Sequence, residues 1–187
     1  AYPDGRLTLM ENGEYYWRNR VRAQMDRVKA LRGKTVDIVF LGDSQTHFME
    51  GRWGRLESPW PSVTAFTNGL KTLNLGIGGD RTEHALWRAK NGQLDGYRAK
   101  AVSILIGSND GGKRDSADDI VRGVAEIVKT VQAKQPDATI VLTALFPNRF
   151  TTGDPQETKR SEIRAGVRKL TDGRKVLWLD VGDELRG

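Results

Sequence analysis

Apolar residues along this chain follow two periods, and the periods alternate. Trp17, Val21, Met25, Val28 and Leu31 recur every three or four residues, which predicts a helix over Glu14–Leu31 stopped by Gly33. Val36–Leu41 then runs almost continuously apolar, as a strand buried on both faces of a parallel sheet does. A short helix is expected over Thr46–Glu50, followed by an irregular stretch from Gly51 to Ser62 that holds Trp53, Trp60 and Pro61. The alternation resumes with a strand over Lys71–Leu75 and a helix over Thr82–Lys90 that ends at Asn91-Gly92. A strand over Ala101–Ile106 leads to a helix from Ser116 to Gln135, opened by a Ser116/Asp119 capping box, with Ile120, Val124, Ile127, Val128 and Val131 on one face. A strand over Thr139–Leu145, a helix from Asp154-Pro155 to Leu170 and a strand over Val176–Leu179 complete the series. Five strands alternating with helices predict an α/β fold of three layers: a flavodoxin-like, doubly wound parallel sheet.

No repeat, linker or low-complexity segment divides the 187 residues, so a single domain over residues 1–187 is expected. The last strand is followed only by Asp180–Gly187, where a sheet-covering helix would be expected. A parallel sheet needs both faces covered. Without that helix, apolar surface beside the first helix is expected to be open, and a homodimer or another association is one way to cover it.

Composition narrows the chemistry. With no cysteine there is no disulfide, no thiolate nucleophile and no cysteine-based metal site. The hydrophobic fraction of 37% is that of a globular chain, and no apolar run approaches the roughly 20 residues of a membrane helix. The net charge of +6 reads as a solvated basic face. Nucleic-acid binding would call for stacking aromatics interleaved with the basic residues on one face, and no such run occurs. The chain opens with Ala1 rather than Met, which leaves two readings of its location: an exported protein that has lost a leader, or a cytoplasmic one.

Chemistry concentrates where strands end. Ser44, in Gly42-Asp43-Ser44, follows the first strand, at the rim where open α/β sheets bind ligands. A serine becomes a nucleophile only when a base takes its proton and donors hold the resulting oxyanion. The Ser44 N–H is a first candidate donor. The Gly79 N–H, in Asn74-Leu75-Gly76-Ile77-Gly78-Gly79-Asp80 after the second strand, is another, because glycine lets backbone approach a ligand closely. The Asn109 side-chain amide, in Gly107-Ser108-Asn109-Asp110 after the third strand, is the last. Asp43 and Asp110 read as carboxylates that cap backbone turns. No His/Asp/Glu cluster has metal-ligand spacing, and no dinucleotide or Walker-type motif occurs, so neither metal nor cofactor is implied.

These three blocks resemble those of the SGNH (GDSL-type) hydrolases. The stretch Asn74–Gly79 with Asp80-Arg81-Thr82-Glu83-His84-Ala85-Leu86-Trp87-Arg88 and Asn91-Gly92 looks like the platelet-activating-factor acetylhydrolase catalytic-subunit branch, a look shared by bacterial esterases and carbohydrate acetylesterases. The resemblance covers about Val36 to Asp183. It implies the SGNH hydrolase fold, Ser44 as nucleophile, and Gly79 and Asn109 in the oxyanion hole. It also implies a small-molecule ester substrate, with acetyl the expected acyl group and a carbohydrate, lipid or similar alcohol. Two departures stand out. Gln45 occupies a position that is usually apolar, and the last family block, Asp-x-x-His, which supplies the base and its orienting carboxylate, is absent from this chain. His47 and His84 are the only histidines. His47 is expected at the site rim or packed in its helix, and His84 as a helix-packing residue. Asp180 and Asp183 lie ahead of where the family places the orienting carboxylate and are left unassigned. The alternative to an esterase is a non-catalytic module that binds an acylated ligand or a protein partner. Gly51–Asn68 and Pro147–Pro155 are the expected specificity loops, with Trp53, Trp60 and Phe150 as stacking surfaces.

Overall fold

The computed structural model describes residues 16–53, 56–57, 65, 67–110, 115–146 and 155–182. Helix α1 spans Tyr16–Ala30, strand β1 Thr35–Gly42 and the short helix α2 Ser44–Phe48. A two-residue hairpin follows, β2 (Arg52–Trp53) against β3 (Leu56–Glu57). Strand β4 (Thr72–Gly76) leads to α3 (Thr82–Arg88), which opens into a wide turn over Ala89–Gln93. Then come β5 (Arg98–Leu105), α4 (Ala117–Lys134), β6 (Thr139–Thr143), α5 (Pro155–Arg168) and β7 (Val176–Leu179). The five long strands pair in parallel in the order β4-β1-β5-β6-β7. This is the doubly wound α/β sheet that the alternation predicted. The chain turns back across the sheet at β1, so the switch point lies at the C-terminal ends of β1, β4 and β5.

The core follows from register. Val39 pairs with Leu73 and Val102, and Val102 with Ile140, which pairs with Val176. All five are 3% exposed or less. With Leu41, Leu75, Ile104 and Leu142 they form one face of the sheet, and the buried face of α4 (Ile120, Val124, Ile127, Val128, Val131) joins the same cluster. Burying each such side chain is worth about 1.5–3 kcal/mol before ordering costs. The capping box forms as expected: the Ser116 hydroxyl accepts from the Asp119 N–H at 3.1 Å, and the Asp119 carboxylate accepts from the Ser116 N–H at 3.0 Å.

The opposite face is less covered. Phe40, Ser103, Val141 and Leu177 lie in register across four strands and are each partly exposed, and Leu179 is 45% exposed. The first helix, beside which open surface is expected, buries Trp17, Val21, Gln24 and Val28 on its own inward face. Trp17 packs against Trp87 of α3, with ring centroids 5.7 Å apart.

Boundaries differ from the sequence expectations where polar contacts decide them. Helix α2 starts at Ser44 rather than Thr46, because Asp43 caps it. The hairpin occupies part of the stretch read as irregular; strands of two residues carry no periodic signal. Strand β5 starts at Arg98 rather than Ala101, its solvent-facing end being polar. Trp60, Phe150, Asp183 and most of the two expected specificity loops lie outside the described residues, as does the Trp53 side chain. No helix among the described residues is long and apolar enough to cross a membrane.

Candidate active site

Helix α2 rests directly on two glycines. A Cβ on Gly42 would collide with the Thr46 side chain and the Leu105 carbonyl, and one on Gly76 with the backbone of Thr46 and His47. These close approaches bring Ser44, the first residue of α2, onto the ends of β1 and β4. Asn74 locks the contact: its amide Nδ2 donates to the Thr46 carbonyl at 2.6 Å, and its Oδ1 accepts from the Gly76 N–H at 2.8 Å. Asp43, fully buried, caps α2 by accepting from the Gln45 N–H at 2.9 Å. Burial pushes its carboxyl up to about 6. The Gln45 N–H and the Ser108 hydroxyl pull it down, and the charges of Asp80 and Asp110 add to the rise. Asp43 Oδ2 and Gln45 Oε1 are buried and have no hydrogen-bond partner among the described residues. Ser44 is partly buried at the rim.

The glycine loop after β4 is a tight turn. The Ile77 N–H donates to the Gly42 carbonyl at 3.1 Å, tying the loop to β1, and the Asp80 N–H returns to the Ile77 carbonyl at 3.1 Å. Gly79, the third residue of that turn, has φ +80°, in the left-handed region that glycine enters without strain. The Gly78 N–H is taken by His47, and the Gly79 N–H beside it makes no hydrogen bond to any described residue. From β5, Asn109 Nδ2 donates to the Asp80 carbonyl at 2.8 Å. That bond uses one of two amide hydrogens and aligns Asn109 with the loop. Ser44, Gly79 and Asn109 thus stand at the ends of three adjacent strands.

Beneath them lies a buried polar network that the sequence reading did not single out. Arg88 of α3 is fully buried. Its guanidinium contacts the Asp80 carboxylate through Nε at 2.9 Å and Nη2 at 2.7 Å. It also donates to the Leu75 carbonyl at 2.7 Å, the Gly42 carbonyl at 3.3 Å and Gln93 Oε1 at 2.5 Å. Trp17 Nε1 donates to the other Asp80 oxygen at 2.7 Å. Gln93 donates to Gln24 at 2.7 Å, and Gln24 to the Gly76 carbonyl at 3.0 Å. One arginine therefore ties β1, β4 and the residue after Gly79 together. The signal was present: Arg88 shares the inward helical face with Ala85 and Ala89, where an arginine is buried only if paired. Asp110, the expected cap, accepts from the Thr82 N–H at 2.9 Å and holds the start of α3.

Both histidines are committed elsewhere. His47 is 3% exposed, and burial, with Arg20 beside it, pulls its ring down to about 4, partly offset by Glu50. Its Nδ1 accepts from the Gly78 N–H at 3.3 Å, so the neighbouring Tyr16 hydroxyl at 3.0 Å is a donor too. His84 is fully buried; its Nδ1 accepts from the Arg81 N–H at 3.1 Å, and its ring packs on Trp17. Asp180 is exposed and closes a turn on the Gly182 N–H.

A doubly wound sheet with a serine, a glycine loop and an asparagine on its switch-point rim defines a class, and comparison with known proteins places the chain within it. The GDSL-like lipase/acylhydrolase family matches residues 40–187, and the chain belongs to that family. It is 35% identical over 142 residues to human platelet-activating factor acetylhydrolase IB subunit alpha1, covering 75% of this chain and 56% of that one. The rat alpha2 subunit is 33% identical over 132 residues, covering 70% and 52%. The chain thus spans about half the length of the curated relatives it matches. Among solved structures, a GDSL-like lipase from Bacteroides thetaiotaomicron superposes with a TM-score of 0.65 at 18% identity, covering 86% of this chain and 77% of that one. A catalytic mutant of an acetylxylan esterase from Geobacillus stearothermophilus gives 0.63 at 18% identity, covering 83% and 79%. These two likenesses are of fold.

Proposed function

We propose that this chain carries the nucleophile and the oxyanion hole of a serine esterase that removes a small acyl group from a carbohydrate, lipid or similar ester. The observation that carries the reading is the Gly79 N–H, which makes no hydrogen bond to a described residue and precedes the Asp80 carbonyl that aligns the Asn109 amide, on the rim that Ser44 shares. Ser44 Oγ attacks the ester carbonyl and gives its proton to a base outside the described residues. The carbonyl oxygen becomes an oxyanion held by the Gly79 N–H and Asn109 Nδ2. Collapse expels the alcohol, which takes up the proton, and leaves acyl-Ser44. Water, losing a proton to the same base, then releases the acid and restores Ser44. Acetyl is the expected acyl group, in keeping with the acetylhydrolase names of the relatives at 33–35% identity.

The test compares acetyl-ester hydrolysis by the full-length protein and its variants. Ser44→Ala is expected to bring turnover to background and to abolish covalent labelling by a fluorophosphonate. Asn109→Ala is expected to lower kcat by about 10²–10³. Unchanged turnover in Ser44→Ala sinks the reading. A wild-type protein that binds acylated ligands without turnover returns the pocket to a binding role.

A further inference from the structure

A cavity of about 280 Å³ adjoins the rim on the β5 side. Its walls include Ser108 and Asn109 from the loop after β5, and Gln156, Lys159 and Arg160 from α5. The helix residues stand at i, i+3 and i+4, so they share one face. Ile163, one turn further along that face, is 2% exposed and seats the helix in the core, which aims the cationic turn at the cavity. The Lys159 ammonium donates to the Asp115 carbonyl, and Arg160 Nη1 donates to the Phe146 carbonyl at 3.2 Å. Each cation is thereby braced against a segment that follows a strand, β5 for one and β6 for the other.

The lining holds two cations and no carboxylate among the described residues. Two of the nearby acids are engaged elsewhere. Glu157 pairs with Arg164 at 2.6 Å, and Asp110 accepts from the Thr82 N–H and hydroxyl. Arg160 has the Phe146 carbonyl as its partner, which uses one of its five donors, and no carboxylate among the described residues pairs with it. A neutral ester offers two cations no ground-state charge to bind, and small-molecule pockets are mostly apolar with a few polar groups that set specificity. An anion gains charge-assisted hydrogen bonds there.

The geometry points to a subsite for an anionic group, a carboxylate or a phosphate, carried by the ester substrate and seated between Ser108, Lys159 and Arg160 while the ester reaches Asn109 and Ser44. The substrate part rests on the esterase reading; the anion part does not.

Direct binding separates the two. In the full-length protein at low ionic strength, titration with inorganic phosphate and, separately, with succinate is followed by the amide resonances of Ser108 and the Asn109 side chain. Saturable shifts are expected, weakening as salt is added. The double variant Lys159→Gln/Arg160→Gln is expected to weaken binding about tenfold or more. Gln156 is exposed, so Gln156→Glu keeps the helix, checked by circular dichroism, while placing a carboxylate in the cavity. It too is expected to weaken binding. The turnover arm measures kcat/KM for acetyl esters of glycerol phosphate and of lactate against ethyl acetate. Preference for one anionic ester or both is expected and tells phosphate from carboxylate, and in Arg160→Gln the ratio is expected to fall toward one. Absence of anion binding, or equal binding by wild type and both variants, overturns the proposal. Arg160-dependent anion binding without preference among esters overturns the substrate assignment. Arg160-dependent binding with no turnover of any ester breaks the esterase reading and leaves the anion site standing.

Discussion

The two sides of the rim are built in opposite ways. On the β1/β4 side, α2 and the glycine loop are held by Asn74, Arg88, Gln24 and Gln93, all 7% exposed or less, through hydrogen bonds to backbone carbonyls and to one another. On the β5/α5 side, an open cavity separates Asn109 from a helix that reaches the rim through Lys159, Arg160 and Arg164, each bonded to a backbone carbonyl. Where bonds are about to be made and broken, atoms need fixed positions, and a buried hydrogen-bonded network supplies them. Where a variable part of a ligand enters, open space with a few polar groups sets what is accepted. On the proposed reading, the stiff side carries the nucleophile and the Gly79 donor, and the open side sets what is recognised.

The largest way to break the contrast is Arg88→Met. Removing one partner of a buried ion pair leaves Asp80 charged and uncompensated, so a loss of about 3–5 kcal/mol in stability is expected by denaturant unfolding. Arg160→Met on the open side is expected to stay within about 1 kcal/mol. Asp80→Asn combined with Arg88→Met is expected to cost less than the sum of the two, because the pair is coupled. Additive losses would mean that the network is a set of independent bonds.

A smaller effect is read from pH. Asp43 in the fold holds its proton up to about 6, above the 3.8 of an ordinary Asp. The folded state therefore binds more protons between pH 4 and 6, and this group's contribution to stability falls as pH rises through that window. His47 does the reverse. Its ring gives up its proton near 4 rather than 6.5, so the unfolded chain binds more protons and stability rises with pH over nearly the same window. Each contribution is about 3 kcal/mol at full extent, and the two oppose. Asp43→Asn is expected to leave a stability that climbs from pH 4 to 6.5, and His47→Gln one that declines. Parallel slopes in the two variants would show that the stiff side is not where these groups titrate. The smallest effect is that of the α4 cap: Ser116→Ala is expected to cost about 1 kcal/mol by denaturant unfolding.

Much of this was readable beforehand, and the particular residues show why. The α4 face from Ile120 to Val131 and the run Val36–Leu41 announce themselves because burial against one neighbour imposes a period. Gly42, Gly79, Ser44 and Asn109 were legible because each stands where a strand stops. Helix α2 was placed two residues late, because a buried carboxylate cap outweighed local propensity.

The amino-acid sequence by itself therefore determined the α/β alternation, the parallel sheet, the ends of the strands and the residue types offered on their rim. Those depend on neighbours a few positions apart and on the period of burial. Only the tertiary structure decided that Arg88 lies beneath the site, that Asn109 is aligned by the Asp80 carbonyl, that His47 and His84 have their Nδ1 atoms occupied, and that Lys159 and Arg160 face the cavity beside Asn109. These pairings join residues up to tens of positions apart. Their energy comes from desolvated hydrogen bonds that exist only once the sheet has brought both partners out of water.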